Sequence, residues 1–478
     1  MTAPVPNSLY WHDYETWGAN PRLDRPAQFA GLRTDLDFNP LGSPLVLYCR
    51  PADDVLPNPE ACLITGLTPQ RALADGVIEA ELFAAIHEQL AQPGTCALGY
   101  NTLRFDDEVT RHGLYRNFYD PYAREWQGGN SRWDLIDVVR LTRALRPEGI
   151  EWPVRDDGET SFKLEHLTAA NGIAHADAHD ALADVRATIA LARLLRERQP
   201  RLYDFAFGHR DKASAAKLLD LRVRELVLHV SSRYPARHGC LAPVVPLIQH
   251  PTNKNGVIVY DLRHDPTPLL SLDADAVRRL VYTAAEDLAE GESRIPLKVV
   301  HLNKCPVLAP LSTLTPAAAE RWAIDIAVAQ RHREALLAAR NLSAKLAVVY
   351  GDNPFPPATD PDQALYGGFL SDADRVRCDR VRRTEPERLA PLARELEDAR
   401  LPELLFRYRA RNWPQTLSAQ ERARWDAWRR ARVRDPASGL TLAEYRKQVA
   451  RLAIDATLTA EQRAVVSALA DWPAEIGL

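Results

Sequence analysis

Residues Ser8 to Gly18 read SLYWHDYETWG, and this stretch restricts the fold more tightly than any other. Leu9, Tyr10, Trp11 and Tyr14 suit the half-buried, pleated surface of a strand, where successive side chains point to opposite faces. Leu9, Trp11, Asp13 and Glu15 then share one face. Two carboxylates side by side on a half-buried face repel each other unless something positive joins them. A divalent metal meets that requirement. A pair at a frayed strand end, bonded to Arg or to backbone N–H groups, meets it too.

Length decides how much is built around this strand. A chain of 478 residues exceeds one ordinary core, so two or three domains are expected. With 46% hydrophobic and 26% charged residues it has the make-up of a folded globular protein. The formal net charge of −4 excludes a globally basic nucleic-acid binder but leaves local basic patches open. Six cysteines are scattered with no C-x-x-C pair, which argues against a zinc site or disulfide framework and for a reducing compartment. The N-terminus lacks a basic region followed by an apolar stretch, and no run approaches 18 apolar residues. A cytoplasmic protein without a membrane anchor is expected.

Along the chain, residues 1–198 mix strand-like and helix-like segments, as an α/β domain does. PLVLYCR and CALGYN read as strands. SRWDLIDVVRLTRAL and DALADVRATIALARLLRER carry apolar residues at helical spacing, such as Leu182, Val185, Ile189 and Ala192, up to the stop at Pro200. Residues 199–350 change texture, with short β-rich runs LVLHVSS, VVPLIQH and GVIVYDL. Asn255-Gly256 is a hairpin-turn signal between the last two. TPAAAERWAIDIAVAQRHREALLAA then starts a helix, with Thr315 as N-cap and Pro316 at its first position. Residues 351–364 are dense in Pro and Asp and read as a linker, and 365–478 are helical and Arg-rich.

Two further stretches bear on the acidic strand. GYNTLRFDDEVTR places Asp106 and Asp107 after a strand ending near Tyr100, and HADAHDALAD places His179 five residues before Asp184. Asp180 can cap the helix beginning there, which seats His179 just outside it and Asp184 in its first turns. A zinc pair from His175 and His179 is another reading, but the glutamate of H-E-x-x-H is missing. A surface histidine beside capping acids is a third.

Taken in order, Asp-x-Glu on a first strand, Asp after a later strand and His-x4-Asp at a helix start resemble the DEDD 3′→5′ exonuclease superfamily, in its His-containing branch. That resemblance implies a ribonuclease H-like α/β domain and two Mg²⁺ ions, for which Mn²⁺ can substitute. Asp13 would bridge both ions, Glu15 and Asp184 would complete the shell of the first, and Asp106 would support the second. His179 would be the general base. The residue types suit phosphodiester hydrolysis. Hard, small cations take carboxylate oxygen, a pair of them roughly 3.5–4 Å apart steadies attacking and leaving oxygens, and imidazole accepts protons near neutral pH.

The likeness runs past these residues. HDYETWG, DRPAQFAGLRTD, GYNTLRFDDEVTRHGLYRNFYDPYAREWQ, NSRWDLIDVVRLTRALRPEGI, HLNKCPVLAP and ALYGGFLSDADR resemble the bacterial exodeoxyribonuclease I family, over essentially the whole chain. The resemblance implies a DEDD domain (1–198), an SH3-like β domain with helical additions (199–350) and a C-terminal helical domain (365–478) around a groove for single-stranded DNA. It implies a monomer that degrades that strand processively to 5′-mononucleotides in DNA repair and recombination.

Arg111, Phe118, Tyr119, Tyr122 and Trp126 interleave cations and aromatics. Phe118 and Tyr119 are expected in the core, Tyr122 and Trp126 on DNA. Arg140, Arg143 and Arg146 recur every three residues as a basic stripe. The resemblance raises Arg140 and Arg146 to DNA contacts, together with Lys163, Lys212, Lys254, Lys298, Asn303 and Tyr366. It also implies docking of the acidic C-terminal tail of single-stranded DNA-binding protein at Arg146, with Pro310 and Thr315 standing where a polar and a basic pocket residue are expected. A related exonuclease acting on RNA or in proofreading, and a non-catalytic nucleic-acid-binding scaffold, are the alternatives.

Overall fold

A computed structural model describes residues 5–175, 179–351 and 358–478. They fall into two units: Pro6–Ser131, His175–Ile189 and Pro356–Leu478 form one, and Met1–Val5, Arg132–Ala174 and Ala190–Phe355 the other. Six residues of the expected linker, 352–357, lie outside the described residues. No helix among the described residues is long and apolar enough to cross a membrane.

The acidic strand is β1 (Ser8–Thr16). It lies in a sheet with β2 (Pro26–Thr34), β3 (Leu45–Tyr48), β4 (Thr95–Leu98) and β5 (Ser131–Arg132), in the order β3-β2-β1-β4-β5. β1 runs antiparallel to β2, pairing Asp13 with Ala30 and Glu15 with Gln28. Its parallel pairing with β4 stops at Trp11 and Leu98. Asp13 and Glu15 therefore stand beyond the last β4 partner, at the carboxyl end of the parallel pair, where open α/β sheets bind ligands.

Below the sheet Tyr10, Tyr14 and Phe29 pack with Leu82, Phe83, Ile86 and Leu114. The helix Asp106–Arg116 lies close against the helix Glu79–Leu90, because a Cβ on Gly113 would fall 1.8 Å from the Phe83 ring. Trp17 and Ala27 pack with Tyr445, Val449, Val466 and Leu469 of the C-terminal helices.

Ion pairs join the same N- and C-terminal segments. Arg411 Nη2 lies 2.9 Å from Asp54 and 2.6 Å from Asp362, Arg407 lies 2.9 Å from Asp362, and Arg25 lies 2.9 Å from Glu79. Burial alone would raise the Asp54 and Asp362 carboxyls, but the facing charges, Arg411 foremost, hold both below the ordinary carboxylate range. Asp362, from the stretch expected to be a linker, is 4% exposed.

The other unit carries β6 (Val227–Val230), β7 (Leu241–Gln249), β8 (Gly256–Asp261), β9 (Leu297–His301) and β10 (Val307–Pro310) in one antiparallel sheet, order β10-β6-β7-β8-β9. One local expectation is met here and one is corrected. The hairpin signalled by Asn255-Gly256 forms between β7 and β8, with a loop of residues 250–255: Gly256 N donates to Asn253 O and His250 N to Gly256 O. The single helix expected after Thr315 is two, Pro316–Arg321 and Ile326–Ala338. Ala323 adopts φ +50° between them, and Asp325 caps the second.

Because each carboxylate of the Arg411 network has a depressed pKa, its contribution is present above the unfolded carboxylate value near ~3.9 and lost as pH falls through the folded value. Arg411→Ala should destabilise the unit by about 3–5 kcal/mol at pH 7, the cost of orphaning buried charges. The deficit should shrink below about pH 4 as the aspartates protonate. Urea unfolding at both pH values checks this, and equal midpoints for variant and wild type at pH 7 would refute it.

Candidate active site

Three elements converge at the end of β1. The strand supplies Asp13 and Glu15. The helix Asp106–Arg116 supplies Asp106 at its first residue, and this carboxylate accepts from the backbone N of Tyr14 at 3.1 Å, directly between the two strand acids. The helix Ala181–Arg198 supplies Asp184 in its first turn. Its start is capped as expected, with Leu182 N and Ala183 N donating to Asp180 Oδ1, each at 3.1 Å. Gln28, opposite Glu15 in the sheet, fastens that start from below: its Nε2 donates to Asp180 Oδ2 at 3.1 Å and its Oε1 accepts from Ala181 N at 3.3 Å.

His179 precedes the cap with φ +71°, a left-handed conformation that few residues other than glycine adopt. It is exposed, and it brings one ring nitrogen into a group with carboxylate oxygens of Glu15 and Asp184, all within 4.8 Å of one another. His175, the other half of the zinc pair considered above, meets one of those carboxylates: its Nε2 lies 2.5 Å from Asp184 Oδ1.

The electrostatics here oppose those of the Arg411 network. Burial first, then Asp106, Glu15 and Asp184, drives the Asp13 carboxyl well above its ordinary value. Burial, then Asp184 and Asp106, pushes Glu15 up to about 9. Asp184 is raised by burial, against the opposing effect of His175 and His179. These shifts have the cause that a cation removes, repulsion among carboxylates taken out of water. The donor set, mainly carboxylate oxygen with one imidazole, fits a hard divalent ion.

In the same unit lies an aromatic cluster. Arg111, a candidate for DNA contact, is buried, with its guanidinium bonded to Glu125 at 2.7 Å and Glu108 at 2.8 Å. It lies 5.4 Å from the Tyr122 ring centroid and 3.4 Å from the Tyr366 hydroxyl, and so supports both aromatics from beneath. Trp126 and Tyr366 are 65% and 59% exposed. Phe369, at 81% the most exposed of these rings, packs edge-on to Tyr122 at 5.9 Å and was missed in the sequence, although it follows Tyr366 in the polar, glycine-bearing YGGF. Phe118 is buried and Tyr119 partly so, as expected.

The remaining candidates belong to the other unit. Arg140 is buried against Asp137 at 2.8 Å and over the Phe162 ring, because its position on the helix Leu135–Leu145 faces inward. The basic stripe is therefore not exposed at this residue. Arg146 donates to the carbonyls of Leu145 and Thr313. Lys163 is exposed beside Glu165. Lys212 Nζ donates to Asn255 Oδ1, Lys254 is exposed in the adjoining turn, and Leu302 N, next to exposed Asn303, donates to Asn255 O. Lys298 donates to Ser231 Oγ and lies over the Tyr234 ring. Thr315, where a basic residue was expected, is occupied in capping its helix through Ala318 N.

Three family models match consecutive parts of the chain: an exonuclease model over residues 10–192, an exonuclease I SH3-like domain over 210–352 and an exonuclease I C-terminal domain over 359–476. Exodeoxyribonuclease I of Escherichia coli (strain K12) is 51% identical over 425 residues, 89% of either chain. Among solved structures, a moderately thermophilic exonuclease I from Methylocaldum szegediense matches with a TM-score of 0.94 at 54% identity, covering 98% of this chain and 99% of that one. E. coli exonuclease I in complex with a dA16 oligonucleotide matches with a TM-score of 0.94 at 49% identity, over 98% and 100%.

The raised carboxyls give a signed prediction for the metal-free protein. Folded Glu15 keeps a proton up to about pH 9, whereas an unfolded glutamate loses it near ~4.3. Stability should therefore fall as pH rises between those values. At pH 8 in EDTA, Glu15→Gln should raise the unfolding temperature by on the order of a few °C. Thermal unfolding at pH 6 and pH 8 checks the slope. A variant less stable than wild type at pH 8 would show that the charge is not a burden.

Proposed function

Because the chain belongs to the exodeoxyribonuclease I family, we propose that it degrades single-stranded DNA processively from the 3′ end and releases 5′-mononucleotides. The convergence of Glu15, His179 and Asp184 within 4.8 Å, beside Asp13 and Asp106, carries this reading. Asp13, Glu15, Asp106 and Asp184 would hold two Mg²⁺ ions, or Mn²⁺ in their place. When bound, the metal neutralises charge on the phosphate and stabilises attacking and leaving oxygens.

His179 accepts the proton of the attacking water through a ring nitrogen, with its approach set by the left-handed turn before the cap. Gln28 keeps that turn against β1, and His175 keeps Asp184 oriented. Trp126, Tyr366, Phe369 and Tyr122 offer stacking faces that tolerate any base, as a processive nuclease needs. Lys163, Lys212, Lys254 and Lys298, with Asn303, offer contacts to the sugar–phosphate backbone.

Arg146, fixed by two carbonyls, suits the terminal carboxylate of an acidic peptide, the C-terminal tail of single-stranded DNA-binding protein. With Pro310 and Thr315 supplying no second charge, that docking is modest and salt-sensitive. The setting proposed is a cytoplasmic monomer in DNA repair and recombination.

One assay tests the chemistry: release of mononucleotides from 3′-labelled and 5′-labelled single strands, DNA and RNA in parallel. Asp13→Ala and Asp184→Ala should abolish release while retaining strand binding, and EDTA should reproduce both. His179→Ala should lower kcat by roughly 10²–10⁴-fold, the worth of a positioned acid–base group. Turnover by Asp13→Ala with Mg²⁺ present, or preference for RNA, would overturn the reading.

The aromatic cluster yields a separate expectation. Phe369→Ala and Trp126→Ala should each weaken single-strand binding by about 1–3 kcal/mol and shorten processive runs, with little loss of thermal stability because both rings are exposed. Runs of unchanged length would remove the ring from the DNA path.

A further inference from the structure

The exposed rings of Tyr366 and Phe369 stand out from the stretch ALYGGFL, residues 364–370. Leu365 and Leu370 anchor it at either side in the apolar cluster that holds Leu401 and Leu404. Between the two rings come Gly367 and Gly368, both exposed, the second with φ +127°. Two glycines in succession give the backbone its greatest conformational freedom, so rings hung on either side of them would drift relative to each other.

One side chain removes that freedom. Arg400, at the start of the helix Leu401–Asn412, donates from Nη1 to Ala364 O at 2.8 Å and from Nη2 to Gly368 O at 3.0 Å. These two carbonyls bracket Tyr366, and the second belongs to the residue just before Phe369. Asp398 steadies the guanidinium, accepting from Nε at 2.8 Å and from Nη2 at 2.7 Å. A planar fork that meets two carbonyls at once fixes the distance between them, which a single-point cation cannot do. The rings themselves lean on other partners: the Tyr366 hydroxyl meets Glu108 and Arg111, and Phe369 packs edge-on to Tyr122.

We propose that Arg400 is a positioning residue for the DNA strand: by clamping the backbone on both sides of Tyr366 it holds the Tyr366 and Phe369 rings at a fixed spacing before a base arrives. The assignment rests on the reading above that these rings stack on single-stranded DNA. A ring already ordered loses less entropy on binding, and the difference appears as affinity. The charge of Arg400 is spent on Asp398 and its hydrogen bonds on the chain's own carbonyls, so it acts through the rings and not on a phosphate.

Equilibrium binding of the full chain to labelled dA16, the strand held by E. coli exonuclease I, tests this in EDTA without requiring hydrolysis. Arg400→Met should weaken binding by roughly tenfold, within the worth of one base stack. Phe369→Ala, costly in the wild type, should cost little more in the Arg400→Met background, because a ring already adrift has less to lose. The slope of log affinity against log salt should stay as in the wild type, since no phosphate contact is removed. Arg400→Lys keeps a cation beside Asp398 and so spares the fold, but its single nitrogen does not span both carbonyls, and it should weaken binding too. Wild-type affinity in Arg400→Lys, or fully additive losses in the double variant, would overturn the assignment. A salt slope shallower by about one would also overturn it, by making Arg400 a phosphate contact. A wild type that binds the strand in EDTA yet releases no mononucleotide with Mg²⁺ would overturn the function proposed above and leave the positioning role standing.

Discussion

Repulsion among carboxylates crowded at the end of β1 is the constraint on which the rest of this structure turns. The same unit meets the problem of buried acids in two ways. Around Asp54 and Asp362 it brings in Arg411, Arg407 and Arg25, and the acids stay charged. Around Asp13 and Glu15 it brings in more acid, Asp106 and Asp184, and the carboxyls shift upward. A fold selected only for stability would not make the second choice, since burial and the neighbouring acids both disfavour the charged carboxyls. The strain is local and is opposed by the arginine network and by the apolar contacts of Trp17 with the C-terminal helices.

Such a site has to be held from outside. Asp13 and Glu15 share a face in any register, but that face meets the site only in one, because a slip of one residue on β2 would carry both to the opposite side. The bond from Tyr14 N to Asp106 ties the second element to that register, and Gln28, opposite Glu15, ties the third. None of these bonds involves a proton that the chemistry moves. They are positioning contacts, and they explain why an exposed histidine in a strained backbone conformation can still be placed relative to two acids.

A similar division of labour holds in the aromatic cluster. Arg111 carries charge but spends it on Glu108 and Glu125, while the exposed rings of Tyr366, Phe369 and Trp126 present the surface.

Most of what makes the site chemical was legible in the chain. Alternation on SLYWHDYETWG put Asp13 and Glu15 on one face, the cap at Asp180 put His179 and Asp184 at a helix start, and Thr315 with Pro316 marked another helix. These are local rules of period and capping, and they survive whatever surrounds them. Burial is not local. Whether Arg111 and Arg140 meet solvent or carboxylates depends on what packs over them, so the carboxylate partners of both were not legible in the chain. The Asn-Gly signal marked the β7–β8 hairpin, but the length of its loop, residues 250–255, was not legible in the dipeptide. Gln28 on the Asp180 cap and Arg111 beside the Tyr122 ring and the Tyr366 hydroxyl had no signature in sequence. Their roles rest on distances between residues far apart in the chain, which only the tertiary structure brings together.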